Sequence, residues 1–190
     1  MNEKYRRTDS LAYATGSFKN NLEEIIQRWS DIVISIADLG PKLIENIKNM
    51  VKDKSRISSK KSETMTDLTD LGKLLNDLEK ANAENYDLMI EMDGLDFPLK
   101  GPKEMMSICK QEEEEIGFLQ TILKNLSKTM TFIEKEGETE EELLMNSLKS
   151  FEDAFNQFQE LCNDGIQLFS KIAEELEKEH KKARKYLGIV

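Results

Sequence analysis

The chain has 190 residues, 34% of them charged and 38% hydrophobic, with 37 acidic side chains against 27 basic ones and a formal net charge of −10. That length suits one domain, and the acidic balance argues against a nucleic-acid partner, which needs a concentrated basic surface. It also disfavours a purely electrostatic membrane binder, although local basic patches can override the net value.

The first residues are polar, contain Lys4, Arg6 and Arg7, and lack the apolar core of a signal peptide. Residues 1–16 are expected to be a flexible N-terminal segment, and 17–187 a single helical-bundle domain. Ser17 is placed to cap the first helix. Its apolar stripe runs Phe18, Leu22, Ile25, Trp29, Ile32, Ile36, Leu39. Gly40-Pro41 should end or kink a helix, because proline lacks the amide donor and its ring meets the carbonyl four residues back. The seven-residue phase nevertheless passes through it, by Leu22, Trp29, Ile36, Leu43, Met50 and Ile57. One kinked helix from 17 to about 54 is therefore expected, since a loop of arbitrary length would reset the phase.

Residues 52–61 are basic and serine-rich and read as a connection. A second helix follows, with Met65, Leu68, Leu71, Leu75 and Leu78 on one face, drifting to Ala81, Leu88, Met92 and Leu95. Asn82 and Asn85 interrupt it and make the middle its weakest seam. Gly94, Pro98, Gly101 and Pro102 mark a break. The third helix carries Met105, Cys109, Glu112, Ile116, Leu119, Leu123, Leu126, Met130 and Ile133 on its seam, with Glu112 the odd member. Glu136-Gly137 should end it. Thr139 and Glu142 have the spacing of a capping box that starts the last helix.

That last helix has the clearest pattern in the chain: Leu144, Leu148, Phe151, Phe155, Phe158, Cys162, Gly165, Phe169, Ile172 and Leu176, at alternating steps of four and three. The period is that of a long helix packed along its length on other helices. From Thr139 to Leu187 it would span roughly 70 Å, which points to a rod or an elongated bundle.

No segment alternates with a strand period, and the fold class is all-α: an elongated antiparallel bundle of three to four long helices with coiled-coil-like packing. If 94–102 is a turn, the chain is an up-down four-helix bundle. If it is a kink, the second and third helices form one bent helix of roughly 70 residues. Charge favours the turn, because it brings the basic 52–61 connection beside the acidic 134–142 one. A hairpin centred near Gly137 would set Cys109 level with Gly165 and Glu112 level with Cys162.

Chemistry has little to stand on. Cys109 and Cys162 both fall on apolar seams and read as reduced structural thiols. His180 is the sole histidine, so the Glu177/His180 pair cannot make a di-iron site, and it reads as part of a solvated helix face. Glu112 reads as a solvated or partner-bonded carboxylate. No nucleophile elbow or glycine-rich phosphate loop is present. No cofactor, no metal and no enzymatic activity are expected. Two basic clusters are the candidate anionic-partner or lipid patch: Lys52, Lys54, Arg56, Lys60 and Lys61, and Lys178, Lys181, Lys182, Arg184 and Lys185.

The kinked first helix at Gly40-Pro41, a Phe97-Pro98-Leu99 run where such domains often carry a proline-leucine kink in their long second helix, and a long aromatic-rich last helix ending Glu177-Lys178-Glu179-His180-Lys181-Lys182-Ala183-Arg184 together resemble the BAR superfamily of dimeric, membrane-binding domains. The resemblance implies a dimer whose tips meet membranes. Such tips are usually basic, whereas the 134–142 connection here is acidic, which leaves a BAR-like scaffold that binds proteins. The leading functional reading is a non-enzymatic, cytoplasmic interaction or scaffold protein. It meets other proteins through helical surfaces and self-associates as a homodimer. The alternative is a BAR-like dimeric peripheral membrane protein, acting in trafficking or cytoskeletal organisation on an anionic membrane.

Overall fold

The computed structural model describes residues 3–53, 57–95, 99–132 and 137–188, with the side chains of 3–11, 58 and 137–140 outside that description. Among the described residues there are four helices and no strand: α1 (Glu3–Lys52), α2 (Ile57–Asp93), α3 (Pro102–Phe132) and α4 (Gly137–Leu187). The protein is an all-α helical bundle. The chain divides into two compact units, each containing part of every helix. The first is Met1–Ser30, Ala81–Lys110 and Asn163–Val190; the second is Asp31–Lys80 and Gln111–Cys162.

In the first unit, Trp29 is fully buried and meets Phe169 edge-on, with ring centroids 5.7 Å apart at 66°. Such a pair adds about 0.5–1.5 kcal/mol beyond the area it buries. Asn82 of α2 reaches Cys109 of α3, so α3 folds back along α2 and the single bent helix is excluded. The carbonyl of Gly101 accepts the amide of Met105 at 2.9 Å, opening the first turn of α3. The Lys100 amide is held by Glu175 of α4 at 3.0 Å. A Cβ on Gly101 would overlap Ile172, so the turn can lie against α4 only with glycine there. Phe97 and Pro98 lie outside the described residues.

In the second unit, α1 runs unbroken through Gly40-Pro41. Pro41 is exposed, so its missing donor and its ring face water, while Gly40 is buried. A Cβ on Gly40 would overlap the outer edge of the Phe155 ring, at its Cζ, and Phe155 in turn stacks on Phe151 at 5.6 Å. Glycine here admits an aromatic ring to the helix backbone. Lys42 and Asn46 of α1 both reach Asp67 of α2, at 3.2 and 3.4 Å. Lys61 of α2 donates to the Thr131 carbonyl at the end of α3. A cation near the C-terminal end of a helix also suits the negative end of its dipole.

The α4 seam falls where its periodicity puts it, whereas Phe18, Ile25, Ile32, Leu39, Met65 and Leu95 of the α1 and α2 stripes are only half-buried. Leu144, Leu148, Phe151, Phe155, Phe158, Cys162, Phe169, Ile172 and Leu176 are all buried, as is Gly165. Helix ends differ from expectation. α1 starts at Glu3, and Ser17 is an interior residue rather than a cap. The cause is tertiary: Thr15 is fully buried and residues 12–19 are bonded to α4, so packing carries the helix past the point where local signals would end it. α3 is described to Phe132 and α4 from Gly137. Ile133, Glu136 and the Thr139 side chain, hence the capping box, lie outside the described residues.

Two helix-interior glycines should respond with opposite sign to the same substitution. Gly40→Ala should cost about 1–2 kcal/mol, overpacking against Phe155 outweighing the gain in helix propensity. Gly72→Ala, where a Cβ would meet nothing within 4 Å, should stabilise by up to about 1 kcal/mol. Urea denaturation followed by circular dichroism measures both. A stabilising Gly40→Ala would mean that the Phe155 ring does not sit there.

Candidate functional site

The two basic clusters lie in different units. Lys52 is exposed at the end of α1, while Lys54 and Arg56 lie outside the described residues. Lys60 pairs with Glu63 at 2.6 Å and Lys61 is engaged by Thr131. Lys60, with Lys42, holds the Glu63 carboxyl below the usual range. At the other cluster, Lys178 pairs with Glu174 at 3.8 Å, Lys181 with Glu177 at 3.1 Å and Lys182 with Glu179 at 2.6 Å. Arg184 and Lys185 are exposed in the last turn of α4. Density of lysines along the chain therefore does not become a bare cationic patch, because glutamates three or four residues away sit on the same helix face.

His180 is not on a solvated face, and that expectation is corrected. Its Nδ1 lies 3.1 Å from the Ala12 carbonyl and 3.1 Å from Thr15 Oγ1. A carbonyl can only accept, so Nδ1 carries the proton. Gly16 makes room for the ring, since a Cβ there would sit 3.1 Å from His180 Cε1. One turn away, Lys19 of α1 bonds Glu177 of α4 at 2.6 Å. Hydrogen bonds from Lys19 and then Lys181 hold the Glu177 carboxyl down at about 2. The same bond to Glu177 raises Lys19. These groups join α1 to α4. Among the described residues no cluster of three or more His, Cys, Asp or Glu is placed to hold a metal ion.

Buried polar groups form two separate sets. In the second unit Glu112 is fully buried, so the solvated reading of this carboxylate fails. Burial first, and then the Glu112 charge, raise the Cys162 thiol well above its ordinary value. A thiol so disfavoured as thiolate is no nucleophile. In the first unit Asn82 Nδ2 donates to the Cys109 carbonyl at 2.6 Å, and Asn85 Nδ2 to Cys109 Sγ at 3.2 Å. The Oδ1 atoms of both asparagines and Nε1 of Trp29 are buried without a hydrogen-bond partner. Both cysteines are free and buried. The asparagines that weaken the α2 seam thus form a polar layer tied to α3.

The open features are grooves between helices. In the first unit an α1–α2 groove of about 360 Å³ is acidic, lined by Glu24, Glu84, Asp87 and Glu91 with one cation, Arg28, which is paired to Glu84. In the second unit an α1–α4 groove of about 630 Å³ has mixed charge, with Lys48 and Glu152 paired across it and Glu45 and Asp153 beside them. Also in the second unit, an α2–α3 groove of about 650 Å³ is lined by Lys73, Lys124 and Lys128, with no acidic residue in its wall. The clustering of charges along the chain missed this site, because its lysines come from two helices. The signal that could have found it is local: Lys124 and Lys128 are four apart, and no acid stands three or four residues from either on α3.

Comparison of the chain with family models, with curated proteins and with solved structures finds no match. No helix among the described residues is long and apolar enough to cross a membrane.

The Lys19–Glu177–Lys181 cluster has a definite pH signature. Glu177 is lowered in the folded state, so its contribution to stability is complete above the ordinary glutamate value of about 4.3 and fades as pH falls toward 2. Lys19→Met should move the Glu177 midpoint up toward that ordinary value, read from side-chain carboxyl shifts in an NMR titration. An unmoved midpoint would mean that the α1–α4 bond is absent in solution.

Proposed function

We propose that the protein is a non-enzymatic helical-bundle interaction module that self-associates and meets other proteins through its helical surfaces. One observation carries the reading: the described residues present long open grooves between helix pairs, while the chemically capable groups serve the fold. Cys162 is buried with a disfavoured thiolate, Cys109 is held by Asn85, and His180 is bonded to α1. None stands beside a nucleophile–base pair of the kind that covalent catalysis uses. Grooves of this size and length suit the apolar face and flanking charges of a partner helix.

The BAR-like membrane reading draws less support. Lys178, Lys181 and Lys182 are each balanced by a glutamate on the same helix, which leaves Arg184 and Lys185 as that cluster's unbalanced charges, beside the exposed Lys52 of the other cluster.

Sedimentation velocity over a wide protein concentration tests self-association, with light scattering to fix the mass. The expected result is a concentration-dependent dimer at physiological salt. A monomer throughout the range would remove self-association from the reading. Co-sedimentation with phosphatidylserine vesicles at the same salt should leave the protein in the supernatant; recovery in the pellet would favour the membrane alternative.

A further inference from the structure

We propose that the α2–α3 groove of the second unit is a docking site for an acidic amphipathic helix of a partner protein. The inference rests on the interaction-module reading and names the surface and the chemistry of what it takes.

Charge is the first argument. In a chain with net charge −10, the wall of this groove carries three lysines and no acid. Many surface lysines here are paired with an acid, as Lys19, Lys42, Lys48, Lys60, Lys80, Lys103, Lys178, Lys181 and Lys182 show. Lys73 does have an outside partner in Asp70, at 2.8 Å with both side chains largely exposed, and such a pair stabilises little. Lys124 and Lys128 form no ion pair among the described residues. As like charges one turn apart on α3 they repel each other slightly. The complement of that arrangement is a pair of carboxylates at the same spacing on a facing helix, roughly 6 Å apart along its axis, with a third acid toward Lys73 on the opposite rim.

Space is the second argument. Gly72 lies inside α2, where glycine costs about 1 kcal/mol relative to alanine. Yet a Cβ there would meet nothing within 4 Å, so packing within this chain gives no reason for it. Its bare backbone, with Leu68 and Leu123 beside it, lowers the floor of the groove. A helix can approach closely over a glycine and set an apolar side chain into the space. A flat lipid surface would not reach that floor, and a free phosphate is far smaller than a groove of about 650 Å³. The α1–α2 and α1–α4 grooves described above carry acids in their walls, so an acidic helix is better matched to the α2–α3 groove than to either of them.

The test uses the full chain and a fluorescein-labelled synthetic peptide: an amphipathic helix with a leucine seam and glutamates four residues apart on its flanks. A matched peptide has lysine at every glutamate. Fluorescence anisotropy at physiological salt should show binding of the glutamate peptide alone, with amide shifts in NMR confined to the second half of α3 and the first half of α2. Lys124→Glu with Lys128→Glu should weaken binding by about tenfold or more, since buried charge pairs at an interface carry large couplings. Lys124→Arg with Lys128→Arg should retain it. Gly72→Leu puts a side chain on the floor where a Cβ meets nothing within 4 Å, so it should keep the helical circular-dichroism spectrum and lose the peptide. Asp87→Lys, in the acidic groove, should leave binding unchanged.

The proposal is overturned if the glutamate peptide does not bind, if the lysine peptide binds equally, or if the lysine and glycine variants bind as well as the original chain. It is also overturned if phosphatidylserine vesicles, and not the peptide, are the ligand lost in the lysine variant. Self-association, measured by sedimentation, is read separately. Loss of peptide binding alongside an intact dimer rejects the groove and leaves the interaction reading standing.

Discussion

The apolar seam of α4 is the constraint on which the rest of the bundle depends. It supplies core side chains to both units, and the other helices are shaped to receive them. In the second unit Phe155 enters where Gly40 leaves α1 bare, and in the first Ile172 enters where Gly101 leaves the α2–α3 turn bare. Phe169 meets Trp29 in the first unit as well. Burying a side chain of this size is worth about 1.5–3 kcal/mol, whereas an exposed ion pair contributes about 0–1 kcal/mol. The many lysine–glutamate pairs therefore decorate an arrangement that apolar burial has already decided.

Where the seams are interrupted, the polar groups serve register rather than chemistry. Asn82 and Asn85 both reach Cys109 across the α2–α3 pair. Sliding α3 along α2 would strand those donors, and a buried unmade hydrogen bond costs about 1–3 kcal/mol. In the second unit the buried Glu112 of α3 lies near enough to Cys162 of α4 to help raise its thiol. The price of this polarity is visible in the unpartnered Oδ1 atoms of the two asparagines.

Surface charge sorts by helix geometry rather than by distance along the chain. The C-terminal lysines are the densest basic run in the sequence, but their own glutamates neutralise them at helical spacing. Lys124 and Lys128 are inconspicuous in the sequence and stand in a groove wall without acids. Net charge thus says what the surface repels as a whole, and the pairing of individual side chains says where an oppositely charged helix can still be taken up.

Periodicity alone determined the all-helical class, the buried positions of α4 and the passage of α1 through Gly40-Pro41, because a helix repeats its face every few residues whatever its partners. The place of both cysteines on apolar seams indicated that they stay reduced and buried, as they are. Other features were decided only when the helices came together. Whether 94–102 turns or kinks depends on α3 finding Cys109 beside Asn82 and Asn85. The start of α1 depends on α4 covering Thr15, and the state of His180 on the Ala12 carbonyl it meets. The α2–α3 groove belongs to neither helix by itself. Local propensity acts over one or two turns, while each of these features is set by contacts between residues far apart in the chain, and only packing brings those into reach.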